Sequence, residues 1–213
     1  MYKDHNFVGT GGIIENVFSY EEMDKWKSFF EKIPPYISER ESQGNILHCV
    51  TEKHAVYKWF EAKVFKQLQD LLHADMRTVI AFYSSIDTAW EAHTDNYHQL
   101  PEGAQRYCMS ILIPYSVDND KNKTNLAHTV LFNELYINDQ LIENQNPVRD
   151  FDLDPYLTDH IRNRDLLNKL TPRTVLHWSP GSVIYWDTNL MHCSGNFGNS
   201  YNDKQAFVIH TYL

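Results

Sequence analysis

From about residue 77 onward the chain is written in short β-branched and aromatic runs: "RTVIAFYSS", "RYCMSILIPYS", "AHTVLFNELYI", "GSVIYWD" and "QAFVIHTYL". Turn-forming separators such as "DNDKNKTN", "SPG" and "GNFGNSYND" stand between them, which is the punctuation of a sheet-rich domain. Runs this short bury a core only by pairing with one another, so the bulk of the domain must be sheet. The chain before residue 77 has a different texture. In "SYEEMDKWKSFFEKIPP", Ser19 precedes Glu22 in a capping-box pattern, and Pro34-Pro35 ends the run, so a first helix is expected there. In "HAVYKWFEAKVFKQLQDLLHAD", Val56, Trp59, Phe60, Val64, Leu68, Leu71 and Leu72 recur at steps of three and four, the stripe of a second helix facing a core. Helices laid outside a mostly antiparallel sheet predict an α+β jelly roll or related barrel with a concave interior.

A length of 213 residues fits one domain able to bury its own core. We read residues 1–213 as that single domain, with 1–76 mainly helical support and 77–213 the barrel. Residues 140–173 form a charged insertion, including "NQNPVRDFDLDPYLTDHIRNRDLLNKLTP". Its later part suits a short helix capped by Thr158 or Asp159, and its length suits a lid over a functional opening.

The net charge of -9 repels polyphosphate backbones, so no nucleic acid partner is expected. The start, "MYKDHNFVGTGGIIENVF", lacks a basic segment followed by an apolar one, and no run reaches the roughly 18 apolar residues of a membrane span. A soluble, cytoplasmic protein with no membrane partner is the expectation. The three cysteines, Cys49, Cys108 and Cys193, are odd in number and widely spaced. They fit a reducing compartment better than a disulfide framework or zinc knuckle.

Chemistry enters at "WEAHTDNYH", residues 90 to 98. If this segment is extended, the two-residue period places His93 and Asp95 on one face and turns Thr94 away. A lone HxD occurs often by chance, so a third ligand is required. Among eleven histidines, His192 is the best positioned. In "SPGSVIYWDTNLMHCSGN", Pro180-Gly181 makes a turn, residues 182 to 187 a strand and Thr188-Asn189 a second turn, so a hairpin aims His192. His98 lies in a probable loop, and His177 precedes the turn. Cys193, adjacent to His192 on a strand, points to the opposite face and is packing. Two histidines and one carboxylate leave three adjacent positions open on an octahedral ion, an arrangement suited to non-haem Fe(II) with dioxygen and a chelating cosubstrate. Zinc favours closed or more nitrogen- and sulfur-rich ligation.

With these residues in view, the chain resembles the Fe(II)- and 2-oxoglutarate-dependent dioxygenases over roughly residues 78 to 213, in the manner of prolyl hydroxylases or phytanoyl-CoA hydroxylases. Their double-stranded β-helix carries HxD on an early strand and the distal histidine on a late one. "AHTVLFN" resembles the family's "GGxTxF" strand, with Ala127-His128 in place of the glycines, and "PGSVIYWD" followed by His192 resembles its turn, strand and distal histidine. The resemblance implies His93, Asp95 and His192 as iron ligands and Tyr83, ten residues before His93, as a hydrogen-bond partner of the cosubstrate. The family's usual arginine, about ten residues beyond the distal histidine, is missing. Lys204, twelve residues after His192, is the candidate anchor for the far carboxylate of 2-oxoglutarate, a point charge without arginine's fork. Arg106, in "AQRYCMSILIP", competes with it.

On the last strand Lys204, Ala206, Val208 and His210 should share a face, which turns His210 toward the barrel interior, although a histidine so near the C-terminus is more often packing and stays outside the ligand set. Trp90, Trp178 and Trp186 are candidates for lining a pocket or for core.

The implied activity couples decarboxylation of 2-oxoglutarate to hydroxylation of a small-molecule or peptidyl substrate by dioxygen. Retention of Asp95 argues against halogenation, because related halogenases give up that carboxylate. Two rivals accompany this reading: a cupin-type iron dioxygenase that does not use 2-oxoglutarate, and a non-catalytic jelly-roll binding module.

Overall fold

A computed structural model of the chain describes residues 10–35, 46–51, 53–87, 92–96, 102–104, 107–137, 140–142, 166, 169–195 and 202–213. In chain order the elements are β1 (Gly11–Ile14), α1 (Tyr20–Phe30), β2 (Ile46–Val50), α2 (Ala55–Phe60), a π-helical turn (Glu61–Phe65) and α3 (Lys66–Leu72). There follow β3 (Arg77–Ile86), β4 (Tyr107–Val117), a 3-10 turn (Lys121–Leu126), β5 (His128–Ile137) and β6 (Gln140–Ile142). The last four strands are β7 (Pro172–His177), β8 (Val183–Asp187), β9 (Leu190–Gly195) and β10 (Lys204–Tyr212).

Two antiparallel sheets face each other. The larger runs β1-β8-β4-β10-β3-β2, and the smaller runs β6-β5-β7 with β9 on the other edge of β5. A single antiparallel bridge between His93 and His192 adds the HxD segment beyond β9. The central strands β3, β10, β4 and β8, opposed by His93's segment, β9, β5 and β7, are the two four-stranded halves of a double-stranded β-helix, as the α+β jelly-roll expectation required.

Alternation along the strands separates the cores. Tyr83, Ile111, Ile113, Phe207 and Ile209 leave the outer face of the larger sheet and meet Met23, Trp26 and Phe30 of α1 together with Phe60, Phe65 and Leu68. Trp26 and Phe30 both lie edge-on to Phe207, with ring centroids 5.5 and 5.6 Å apart, contacts that add about 0.5–1.5 kcal/mol each beyond area burial. Leu112, Leu131, Trp178, Ile184, Trp186 and Ala206 fill the space between the sheets. Val130, Phe132, Met191 and Cys193 cover the outer side of the smaller sheet with Leu170.

The α1 capping box forms as expected: the Glu22 amide donates to Ser19 Oγ and the Ser19 amide to Glu22 Oε2. The second helix carries an unanticipated π turn, whose wider spacing brings Phe65 into the core beside Phe60 and Val64. Residues 1–76 also contribute two strands beside the expected helices. β1 and β2 extend the larger sheet at its two edges, β1 on β8 and β2 on β3. β1 is four residues long and half glycine, too short to show a period. Of the insertion, β6, Leu166 and the approach to β7 are described, and the helix expected after Thr158 or Asp159 lies outside the described residues.

Candidate metal centre and its cavity

His192 is the third residue of β9. Its amide donates to His93 O and the His93 amide donates to His192 O, both at 3.0 Å. Two histidines from distant parts of the sequence are thus a hydrogen-bonded cross-strand pair, with ring centroids 4.3 Å apart. Asp95 is fixed two residues further on, where its amide donates to Thr188 O at 2.9 Å. One ligand atom from each of His93, Asp95 and His192 lies within 4.8 Å of the others. The closest approaches are His93 Nε2 to Asp95 Oδ1 at 3.6 Å and His192 Nε2 to Asp95 Oδ2 at 3.4 Å. Thr94 turns away, donating to Asn96 Oδ1.

The protonation pattern suits an incoming cation. His192 Nδ1 stands 3.0 Å from Leu190 O; a carbonyl only accepts, so Nδ1 carries the hydrogen and Nε2 presents its lone pair. Burial, the largest influence, pushes the His192 pKa down to about 4 against the pull of Asp95, leaving the ring neutral at pH 7. Burial acts to raise the Asp95 pKa, but His192, His210 and His93 outweigh it and hold the carboxyl well below its ordinary range. The donor set therefore offers two imidazole nitrogens and one carboxylate oxygen, which fits a first-row divalent ion with open positions.

The triad lines one end of a cavity of about 590 Å³ between the sheets. Lys204 lines it too, with Ser194, Thr129 and Trp178. Its Nζ donates to Ser194 Oγ and lies 5.3 Å from the centroid of the Trp178 ring, whose Nε1 donates to Thr129 Oγ1. Among the described residues no carboxylate forms an ion pair with Lys204. Burial lowers its pKa to about 8, with the Cys193 thiol pulling slightly the other way. Leu47, Cys49, Ile80, Phe82 and Val208 make the remaining wall apolar.

Tyr83 requires a correction. It faces the helices, not the cavity, and its hydroxyl donates to Gln205 Oε1 at 2.8 Å. Ile80, Phe82, Ser84 and Ile86 are the β3 residues that line the cavity, so strand alternation turns Tyr83 outward; its place ten residues before His93 fixes distance along the chain but not the face. Arg106, Trp90 and His98 lie outside the described residues. Trp178 and Trp186 serve both readings given them, lining the cavity while packing the inner core. His177 lies edge-on to His128, ring centroids 4.3 Å apart, and does not join the triad.

His210, set aside as a ligand, lines the cavity and comes within 3.8 Å of Asp95, as the alternation of β10 predicted. Ser110 went unnoticed, although it donates to Asp95 Oδ2 at 2.6 Å. A serine among the apolar residues of "YCMSILIP" was the available signal.

No protein-family model matches the chain, and a search of curated proteins gave no significant match. Solved structures do. The non-haem α-ketoglutarate-dependent carbocyclase SnoK from nogalamycin biosynthesis aligns with 95% of this chain and 79% of its own, with a TM-score of 0.60 and 12% identity. HygX from Streptomyces hygroscopicus, solved with nickel and 2-oxoglutarate, aligns over 97% of this chain and 84% of its own at a TM-score of 0.55 and 12% identity. EctD from S. alaskensis, solved with 2-oxoglutarate and 5-hydroxyectoine, aligns over 95% and 71% at a TM-score of 0.55 and 16% identity. At these identities it is architecture that is shared: this chain has the double-stranded β-helix fold of the 2-oxoglutarate-Fe(II) oxygenases.

Proposed function

We propose that this protein is a non-haem Fe(II) oxygenase that consumes 2-oxoglutarate and dioxygen and hydroxylates a small-molecule or peptidyl substrate, releasing succinate and carbon dioxide. The observation that carries the reading is the pairing, in one cavity, of a two-histidine, one-carboxylate cluster with a buried lysine that lacks an acidic partner among the described residues. A buried ammonium is costly without a counter-charge, so the cavity is built to receive an anion. That favours the 2-oxoglutarate reading over the cupin-type and non-catalytic rivals.

His93, Asp95 and His192 would hold the iron, and bound iron would supply activation of dioxygen. The chain's own part is placement. Lys204 Nζ meets the far carboxylate of the cosubstrate, and the hydroxyls of Ser194 and Thr129 lie beside it as hydrogen-bonding groups. Trp178 packs behind the ammonium. The apolar wall of Leu47, Ile80, Phe82 and Val208 excludes water and suits a substrate that presents an uncharged C–H group to the metal.

Anaerobic protein given Fe(II) and then 2-oxoglutarate is expected to develop a weak visible charge-transfer band. His192→Ala and Asp95→Ala should each abolish stoichiometric iron binding and the band while leaving thermal unfolding largely unchanged. Iron binding without a band would reject the cosubstrate, and unchanged iron affinity in both variants would reject the ligand set.

A further inference from the structure

A carboxylate serves as a metal ligand only when its plane is held in one orientation against free rotation. Around Asp95 the two oxygens have different surroundings. Oδ1 faces His93 Nε2 at 3.6 Å, and Oδ2 lies 3.4 Å from His192 Nε2. Oδ2 accepts from Ser110 Oγ at 2.6 Å and from Trp186 Nε1 at 3.0 Å. Ser110 has a single hydroxyl hydrogen, and an ionised carboxylate only accepts, so that hydrogen goes to Oδ2. His210 Nδ1 lies 2.9 Å from the same Ser110 Oγ and must therefore be the donor there. Ser110 and His210 are register partners on β4 and β10, which sets their side chains side by side on the inner face. Ser110, His210, Asp95 and Trp186 are each at most 3% exposed, so water does not substitute for any of these bonds.

We infer that Ser110 and His210 are positioning residues that, with Trp186, hold the Asp95 carboxylate in the one orientation that turns its oxygens toward His93 and His192. This rests on the metal assignment made above. The chain His210 Nδ1–H to Ser110 Oγ–H to Asp95 Oδ2, with the Trp186 N–H beside it, keeps the carboxylate from rotating away from His93 and His192. Neither residue touches the metal or substrate in this role; both act through Asp95.

The test is Co(II) binding without cosubstrate, read by calorimetry and by the Co(II) d–d absorption spectrum. Wild type is compared with Ser110→Ala, His210→Phe and His210→Asn, and apo thermal unfolding is measured for each. Ser110→Ala and His210→Phe are expected to weaken Co(II) about 10- to 100-fold, the usual reach of groups behind a metal ligand, and to change the band intensity. His210→Asn, whose amide can donate from near the place of Nδ1, should retain most of both. Wild-type affinity and spectrum in Ser110→Ala and His210→Phe would overturn the inference while sparing the metal site. Equal losses in His210→Phe and His210→Asn would overturn the donor role of His210. Failure of wild type to bind Co(II) would remove the metal assignment and this inference together. Because Ser110→Ala removes only a hydroxyl, it remains informative even if the ring substitutions unfold.

Discussion

Lys204 and Tyr83 stand on neighbouring strands, yet only Lys204 reaches the cavity. In the register, Phe207 rather than Lys204 opposes Tyr83, and Tyr83 and Phe207 both point at the helices. The face a side chain takes is legible in sequence once the strand is anchored by one known residue. On β10 that anchor was Lys204, and it placed His210 correctly; on β3 no such anchor was used, and Tyr83 was assigned by spacing alone. Ser110 was harder to find, because nothing near it in the sequence shows that Asp95 and His210 converge there from elsewhere. Lys204 also yields a pH dependence. Its folded pKa of about 8 lies below the ordinary 10.5 because of burial, so the empty site carries the ammonium below pH 8 and loses it above. Affinity for 2-oxoglutarate should be flat up to about pH 8 and then fall by up to about tenfold per unit, until the higher pKa of the occupied lysine is passed. Calorimetry from pH 7 to 9.5 checks this. Lys204→Arg should abolish the slope, since a guanidinium stays charged, and Lys204→Ala should weaken 2-oxoglutarate far more than iron. A flat wild-type profile above pH 8 would move the anchor to Arg106.

Among the elements, the hairpin of β8 and β9 was the most readable. Its strand, expected at 182–187, runs Val183–Asp187, and the turn before it uses Gly181 at φ +67°. That glycine does more than turn the chain. Its carbonyl accepts from the Val17 and Phe18 amides, its amide donates to Pro114 O, and a Cβ there would meet Phe18 O at 1.9 Å. The turn therefore ties the entry of α1 to β4 and β8, and β8 delivers Trp186 to Asp95. Gly181→Ala combines backbone strain with a clash against main chain, and should cost at least about 2 kcal/mol, or a melting-point drop of roughly 4–8 °C for a domain this size. A scanning-calorimetry trace matching wild type would contradict that. The edge strands β1 and β2 were not legible, because each takes its place by pairing with a longer strand rather than by a pattern of its own.

At the scale of the whole molecule, the class of fold was legible from the strand texture, while the pairing was not. β10 lies between β3 and β4, so its partners come from the other end of the barrel sequence, and composition carries no trace of which runs meet. The folded chain also buries histidines that titrate freely when unfolded. Burial pushes His192 and His128 down to about 4 from the ordinary 6.5, the latter helped by His177. Between those values the unfolded chain binds more protons than the folded one, so stability falls as pH drops from 6.5 toward 4. His192 alone should be worth on the order of 2 kcal/mol between pH 7 and 5. The urea midpoint of the apo protein should accordingly be lower at pH 5 than at pH 7, and equal midpoints would count against neutral burial of these rings. The reciprocal bonds between the amides and carbonyls of His93 and His192 have a final consequence. They make the gap between adjacent strands the ruler for the two imidazoles, and backbone spacing is the one dimension of a protein that substitution does not alter. A chain built this way holds the two imidazoles of the proposed iron site at a span set by the main chain rather than by the side chains around them.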